Sequence, residues 1–238
     1  MAGILLPLFA GAATVYALVG DLPNPERMHE RTVEESTQIY DRTGKILLYE
    51  IHGDERRSIV SLSDVPDSVK HATLVAEDIH FYSHGGLDWR GIFRAIGKNI
   101  SSGDFSQGGS TITQQLIKNS LLGGQKTISR KLKEQILAVL LERKYSKDEI
   151  FGWYLNQIPY GSNAYGIAAA ARLYFGKEVG ELTLAESATI AALVKAPSYY
   201  SPYGSHKDEL MKRKDWILQR MADAGFISAQ QADEATHS

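Results

Sequence analysis

Two acidic residues stand side by side in the stretch Glu77-Asp78-Ile79-His80-Phe81-Tyr82-Ser83-His84-Gly85-Gly86. The residues before them place Val69, Ala72 and Ala76 on one face at helical spacing. Asp64 to Asp67, with Pro66 among them, make a helix start, and Gly85-Gly86 a stop. The acidic pair therefore falls at the C-terminal end of a helix, where the dipole disfavours negative charge. A carboxylate held there takes up a proton more readily than a surface one, which suits a general base. Simple pairing with His80, His84 or Arg94 accounts for the same residues equally well.

A second stretch, Gln107-Gly108-Gly109-Ser110-Thr111-Ile112-Thr113-Gln114-Gln115, has the chemistry of a ligand loop. Its glycines free the backbone for close approach, and Thr111 with Gln114 fits a capping box. Exposed amides at that helix start would hold an oxyanion, although ordinary capped helices look the same. A third stretch runs through Lys126-Thr127-Ile128-Ser129-Arg130-Lys131-Leu132-Lys133-Glu134. From Lys118 to Lys147 there are eight Lys/Arg against two Asp/Glu, in a chain whose net charge is −2. Arg130, Lys131 and Lys133 crowd a helix start, where each cation opposes the dipole by ~0.3–1 kcal/mol. A bound anion would offset that cost; a salt-laced solvated face is the plainer explanation. Arg130 and Glu134 lie one helical turn apart and can pair, with Lys126 on nearly the same face.

These groups need a frame, and the periodicities supply a helical one. Helices are expected over Trp89–Ile100, from the Gly108-Gly109 break through Leu121, and over Ile128–Lys144, Lys147–Gln157, Asn163–Phe175, Thr183–Val194 and Lys207–Met221. A last one should start at Ser228, capped by Gln231. Ile150, Tyr154, Leu155 and Ile158 form a packing stripe. Gln38–Tyr40 and Lys45–Ile51 are strand-like around an Asp41-Arg42-Thr43-Gly44 turn, and Ser58–Val60 offers a third short strand. The fold class is therefore mainly α with a short β element near its start.

Length and composition bound the rest. At 238 residues, 43% hydrophobic and 23% charged, the chain has mass for one good-sized domain and a short appendage. Its slight negative charge argues against nucleic acid as a partner. Cysteine is absent, which excludes disulfides and thiolate metal sites. Ala2–Gly20 carries no charge over 19 residues, close to the ~20 that span a bilayer. It is read as an N-terminal transmembrane helix. Cleavage-like triplets at Ala10-Gly11-Ala12 and Ala12-Ala13-Thr14 leave a signal peptide as the rival, but the apolar run continues past both. The expected domains are 1–20 (anchor), 21–60 (juxtamembrane linker and β element), 61–223 (main domain) and 224–238 (C-terminal helix or start of a linker).

The pattern Glu-Asp-x-x-Phe-x-x-His-x-Gly from Glu77 resembles the first signature of the peptidoglycan glycosyltransferases, glycosyltransferase family 51. These form the polymerising module of class A penicillin-binding proteins and of monofunctional murein polymerases. The nine residues from Gln107 resemble the family's second signature, and Arg130-Lys131 with Glu134 its third. Lys147–Asn156 resembles the fourth, and the likeness, with five signatures in order, runs from roughly Ile39 to Met221. Lys126 stands where the family commonly has arginine, keeping charge but losing bidentate phosphate contacts.

The resemblance implies a bilobed, lysozyme-like domain that polymerises lipid II into β-1,4 glycan, displacing polyprenyl pyrophosphate with inversion. It implies Glu77 as general base and Glu134 as a second required carboxylate. Glu134 would orient Arg130 or Lys126, hold a divalent cation (Mg2+ or Mn2+), or protonate the leaving group. The implied substrate-binding residues are Asp78 (also supporting Glu77), Phe81, His84, Arg94, Gln107, Gly109, Ser110, Thr111, Gln114, Gln115, Lys118, Lys126, Arg130 and Lys131. Lys118 and Arg130 are expected to face solvent. The implied partners are lipid II, the growing glycan, the bilayer, and other cell-wall synthesis and division proteins. The implied location is the bacterial cytoplasmic membrane, single-pass, with the domain on its outer side.

A lytic transglycosylase or lysozyme-like hydrolase is one alternative, and an inactive membrane-anchored scaffold another. Hydrolases act on finished glycan and need no cationic cradle, and a dead scaffold need not keep both carboxylates. Ser-x-x-Lys and Lys-Thr-Gly, the transpeptidase motifs, do not occur. Both a complete monofunctional enzyme and the N-terminal part of a bifunctional protein fit these features.

Overall fold

The computed structural model describes residues 22–23, 37–40, 42, 47–51, 59–91, 109–123 and 127–238, without the side chains of the two strands 37–40 and 47–51. Strands β1 (Thr37–Tyr40) and β2 (Leu47–Ile51) pair antiparallel, Thr37 opposite Ile51, with a register shift at Ile39/Tyr40. The helices in chain order are α1 (Asp67–Glu77), α2 (Ile112–Ile117), α3 (Ile128–Lys144) and α4 (Lys147–Gln157). A hairpin of β3 (Pro159–Gly161) and β4 (Ala164–Tyr165) follows. Then come α5 (Ile167–Phe175), α6 (Leu184–Leu193), α7 (Lys207–Asp223) and α8 (Ala229–Thr236). The mainly helical expectation holds, with a small two-stranded sheet near the start.

The chain divides into two compact units, described separately below: Gly85–Tyr145, and a discontinuous unit of Thr32–His84 with Ser146–Ser238. Among the described residues no helix is long and apolar enough to cross a membrane; the run Ala2–Gly20 lies outside them.

In the discontinuous unit, α1, α6 and α7 pack around Ala72, Val75, Ala188, Ala192, Leu210 and Leu218, and α8 adds Ala232 and Ala235. The small residues of α6 let its neighbours come close. Each larger apolar side chain buried here contributes ~1.5–3 kcal/mol. Pro66 at the N-cap, with φ −60°, presets the entry to α1. The helix ends where Asp78 leaves helical geometry at φ −161°. Beside this core, Phe81, Phe151, Tyr154, Tyr160 and Ile158 are fully buried, so the expected stripe on α4 is a packing stripe.

Two expectations need correction here. The helix predicted from Asn163 begins at Ile167, because Ser162 (φ 48°) and Asn163 (φ 62°) turn the β3–β4 hairpin instead. Gly166 follows at φ +85°, where a Cβ would meet the Asn156 carbonyl oxygen at 2.6 Å. The third strand does not form at Ile59–Val60, and Ser58 lies outside the described residues. There the Asn156 amide accepts from Val60 N–H and donates to Val60 O, both at 2.9 Å, giving those groups a side-chain partner in place of a ladder.

In the Gly85–Tyr145 unit, α2 and α3 pack through Ile112, Leu116, Leu137, Ala138 and Leu141. The α2 helix passes at Lys118 into a π-helical turn to Leu122. Only Trp89–Gly91 of the predicted 89–100 helix lies within the described residues, and they are helical.

Candidate functional site

The discontinuous unit holds Glu77. It is the last residue of α1, and its side chain is 11% exposed. Its Oε1 accepts from Arg213 Nη2 of α7 at 3.4 Å. Arg213 is itself held: Nε donates to Ala192 O at 3.2 Å, and the guanidinium lies 5.8 Å from the Tyr200 ring and 5.5 Å from that of Trp216. Burial pushes the hydroxyl pKa values of Tyr154 and Tyr160 well up, and the negative charge of Glu77 adds to it. The carboxylate therefore sits among neutral tyrosines, with Arg213 as a counter-charge.

Asp78 points its carboxylate at His84, whose Nε2–H donates to Oδ2 at 2.9 Å and lies 3.1 Å from Oδ1. Of the pairings open from sequence, Asp78 with His84 is thus formed. Phe81 meets His84 edge-on and carries Lys147 Nζ 4.2 Å over its ring. Both Phe81 and His84 build the wall of this corner.

The Gly85–Tyr145 unit holds the other cluster. Glu134 is 2% exposed at its side chain, and its two oxygens accept from different cations. Arg130 Nη1 reaches Oε2 at 3.1 Å, and Lys131 Nζ donates to Oε1. Lys131 also donates to Ser110 Oγ at 2.7 Å and to Gln114 Oε1 at 3.3 Å. A cavity of ≈ 700 Å³ opens beside them, with Ser110, Gln115, Lys118, Arg130, Lys131 and Glu134 among its walls. Lys118 stands where α2 gives way to the π-helical turn, and Gly109 is exposed just before α2. Glu134 offsets part of the cost of cations at this helix start, and the three charged groups still sum to one positive charge.

One local expectation changes. Arg130 is not solvent-facing: its side chain is 15% exposed, drawn in by Glu134. The α2 start is capped by its own side chains. Its capping box forms, so Gln114 N–H is taken by Thr111 Oγ1 and Thr111 N–H by Gln114 Oε1, while Thr111 Oγ1 donates to Gly86 O at 2.8 Å. Thr111 and Gln114 are buried in that arrangement. Arg94, Gln107 and Lys126 lie outside the described residues.

Sequence reasoning missed Arg213 and Glu142. Glu142 accepts from Gly86 N–H and from Thr113 Oγ1, fixing the glycine against α3. At φ +79°, Gly86 sits where a Cβ would meet the Ala138 carbonyl at 2.9 Å. The signal for Glu142 was its being one of two acids in the basic Lys118–Lys147 stretch. Arg213 has no local signal.

A family profile described as Transglycosylase matches residues 44–222. The chain belongs to the transglycosylase family. It is 41% identical over 236 residues to penicillin-binding protein 1A of Aquifex aeolicus, covering 99% of this chain and 32% of that one. Against penicillin-binding protein 1A of Escherichia coli it is 42% identical over 231 residues, covering 95% and 27%. A crystal structure of penicillin-binding protein 1A from Haemophilus influenzae superposes with a TM-score of 0.50 at 31% identity, over 87% of this chain and 21% of that one. The chain thus spans about a third or less of the length of the relatives it matches. The family is that of the peptidoglycan glycosyltransferases, as the signatures imply.

Proposed function

We propose that this chain is a peptidoglycan glycosyltransferase that polymerises lipid II. The observation that carries the reading is the cationic cavity: Lys118, Arg130 and Lys131 line one space beside Ser110. Charge-assisted donors of this kind suit a diphosphate, and finished glycan, the substrate of a hydrolase, has none.

In the proposed reaction the acceptor's 4-hydroxyl attacks C1 of the donor sugar. The C1–oxygen bond to polyprenyl pyrophosphate breaks, and the hydroxyl proton passes to Glu77. Arg130, Lys131 and Lys118 stabilise the charge that develops on the departing pyrophosphate, acting as preorganised donors. Glu134 keeps Arg130 and Lys131 in place. Asp78, with His84, and Phe81 hold the turn that follows Glu77. Gly109, Ser110, Thr111, Gln114 and Gln115 shape the donor side, as do Arg94, Gln107 and Lys126 in the family's pattern.

The donor set for a divalent cation is thin. Both Glu134 oxygens already accept from cations, and among the described residues no three His, Asp or Glu converge. No step is routed through a metal. The lipid tail of the substrate requires work at a bilayer surface, which fits the apolar run Ala2–Gly20 as an anchor and an outward-facing domain. Other cell-wall synthesis and division proteins are natural partners for such an enzyme.

The test is incubation with labelled lipid II, separating polymer from monomer. Polymer that lysozyme degrades is the expected product. Release of fragments from finished peptidoglycan, with no polymer from lipid II, overturns the reading in favour of a hydrolase.

A further inference from the structure

Glu77 ends α1 with little exposure, in a setting that disfavours its charge twice over. The helix C-terminus opposes it, and its charge acts on the buried Tyr154 and Tyr160. A carboxylate so placed stays ionised and oriented only with a partner. Arg213 is such a partner, 136 residues away in sequence and donating to Oε1 at 3.4 Å. Its side chain is 11% exposed and fixed from three directions: by the Ala192 carbonyl near the end of α6, by Tyr200, and by Trp216 on its own helix. A guanidinium immobilised this way resists swinging off to solvent and sets the direction of the carboxylate it holds.

We propose that Arg213 is a positioning residue for the Glu77 carboxylate, seating it for proton transfer and holding it in the charged form. This rests on the reading that Glu77 is the base. Among the groups bearing on Glu77 are Arg213 from α7, Tyr154 from α4, Tyr160 from β3 and the adjoining Asp78, which is engaged by His84. The tyrosines stay neutral through the working range, so the charge that Arg213 brings is not duplicated by them. Its role needs no contact with substrate.

The test uses the full chain and four proteins: wild type, Arg213→Gln, Arg213→Lys and Glu77→Gln. Thermal unfolding, kcat and KM for lipid II polymerisation across pH, and binding of polyprenyl pyrophosphate are measured on each. Arg213→Gln should lose about 10²-fold in kcat at neutral pH, the cost of a displaced catalytic group. KM and polyprenyl pyrophosphate binding should stay close to wild type. Without the cation Glu77 takes up a proton more readily, so the acid limb of the rate profile should move to higher pH and part of the rate should return in alkali. Arg213→Lys keeps the charge and should recover much of the limb. If Arg213→Gln melts earlier while kcat per folded molecule and the acid limb are unchanged, Arg213 is merely structural and the proposal is wrong. Near-normal turnover by Glu77→Gln instead removes the base reading, and this role with it.

Discussion

Each unit holds a glutamate with little exposure, and the two are served in opposite ways. In Gly85–Tyr145, Glu134 is surrounded by cations: Arg130 and Lys131 each take one of its oxygens, and Lys118 lines the same cavity. In the discontinuous unit, Glu77 has Arg213 on one oxygen and buried tyrosines around it. Glu134 holds those cations in place. An acid held by a guanidinium that is itself fixed keeps an oriented electron pair, as the proposed base requires. In the proposed reaction the same side chain supports anion binding in one unit and proton transfer in the other.

The largest effect on stability should separate the two glutamates. Glu134→Ala leaves Arg130 without its carboxylate, while water screens the 38%-exposed Lys131, so the cost is about 3 kcal/mol, the low end for a broken buried pair. Glu77→Ala leaves Arg213 braced by Ala192 and two rings, and should cost clearly less. Denaturant unfolding of both variants checks this. Equal losses would erase the contrast.

Next in size are the cavity cations. Lys118→Ala and Arg130→Ala should each lose ~1.5–3 kcal/mol of transition-state stabilisation, read as kcat/KM with lipid II. Lys118→Ala should leave unfolding unchanged, whereas Arg130→Ala also removes a partner of Glu134 and should lower stability. If either variant destabilises the fold yet turns over normally per folded molecule, that cation is structural.

The smallest effect is a pH dependence confined to the discontinuous unit, because Gly85–Tyr145 contains no histidine. His71 stacks on Phe226 with ring centres 4.0 Å apart. Burial lowers its pKa below the usual 6.5, against the pull of Asp67 and with help from Lys70. The unfolded chain therefore takes up this proton first. Stability from this site is complete above about pH 6.5 and falls as pH drops below it. His71→Phe should remove that component of the pH profile; an unaltered profile would show His71 silent.

What could be read without the structure was local. The Arg130–Glu134 pair is one helical turn, and the Thr111/Gln114 and Ser228/Gln231 boxes are set by three-residue spacings, so each was legible and each forms. Arg213 against Glu77 joins α7 to α1, and Asn156 against Val60 spans 96 residues, so neither leaves a trace in periodicity. The solvent-facing expectation for Arg130 failed although its pairing was legible, because spacing does not tell how deeply α3 buries Glu134. Charge alone put it outside, and only the buried Glu134 brings it in.

The division of labour is tested most directly by comparing Glu77→Gln with Glu134→Gln, measuring lipid II polymerisation and polyprenyl pyrophosphate binding on both. Glutamine keeps the shape of each side chain but accepts no proton. Glu77→Gln should lose ~10²–10⁴-fold in rate while binding the pyrophosphate normally. Glu134→Gln should weaken that binding, because Arg130 and Lys131 lose the charge that holds them. Normal polymerisation by Glu77→Gln, or pyrophosphate binding lost in Glu77→Gln and kept in Glu134→Gln, would contradict the account.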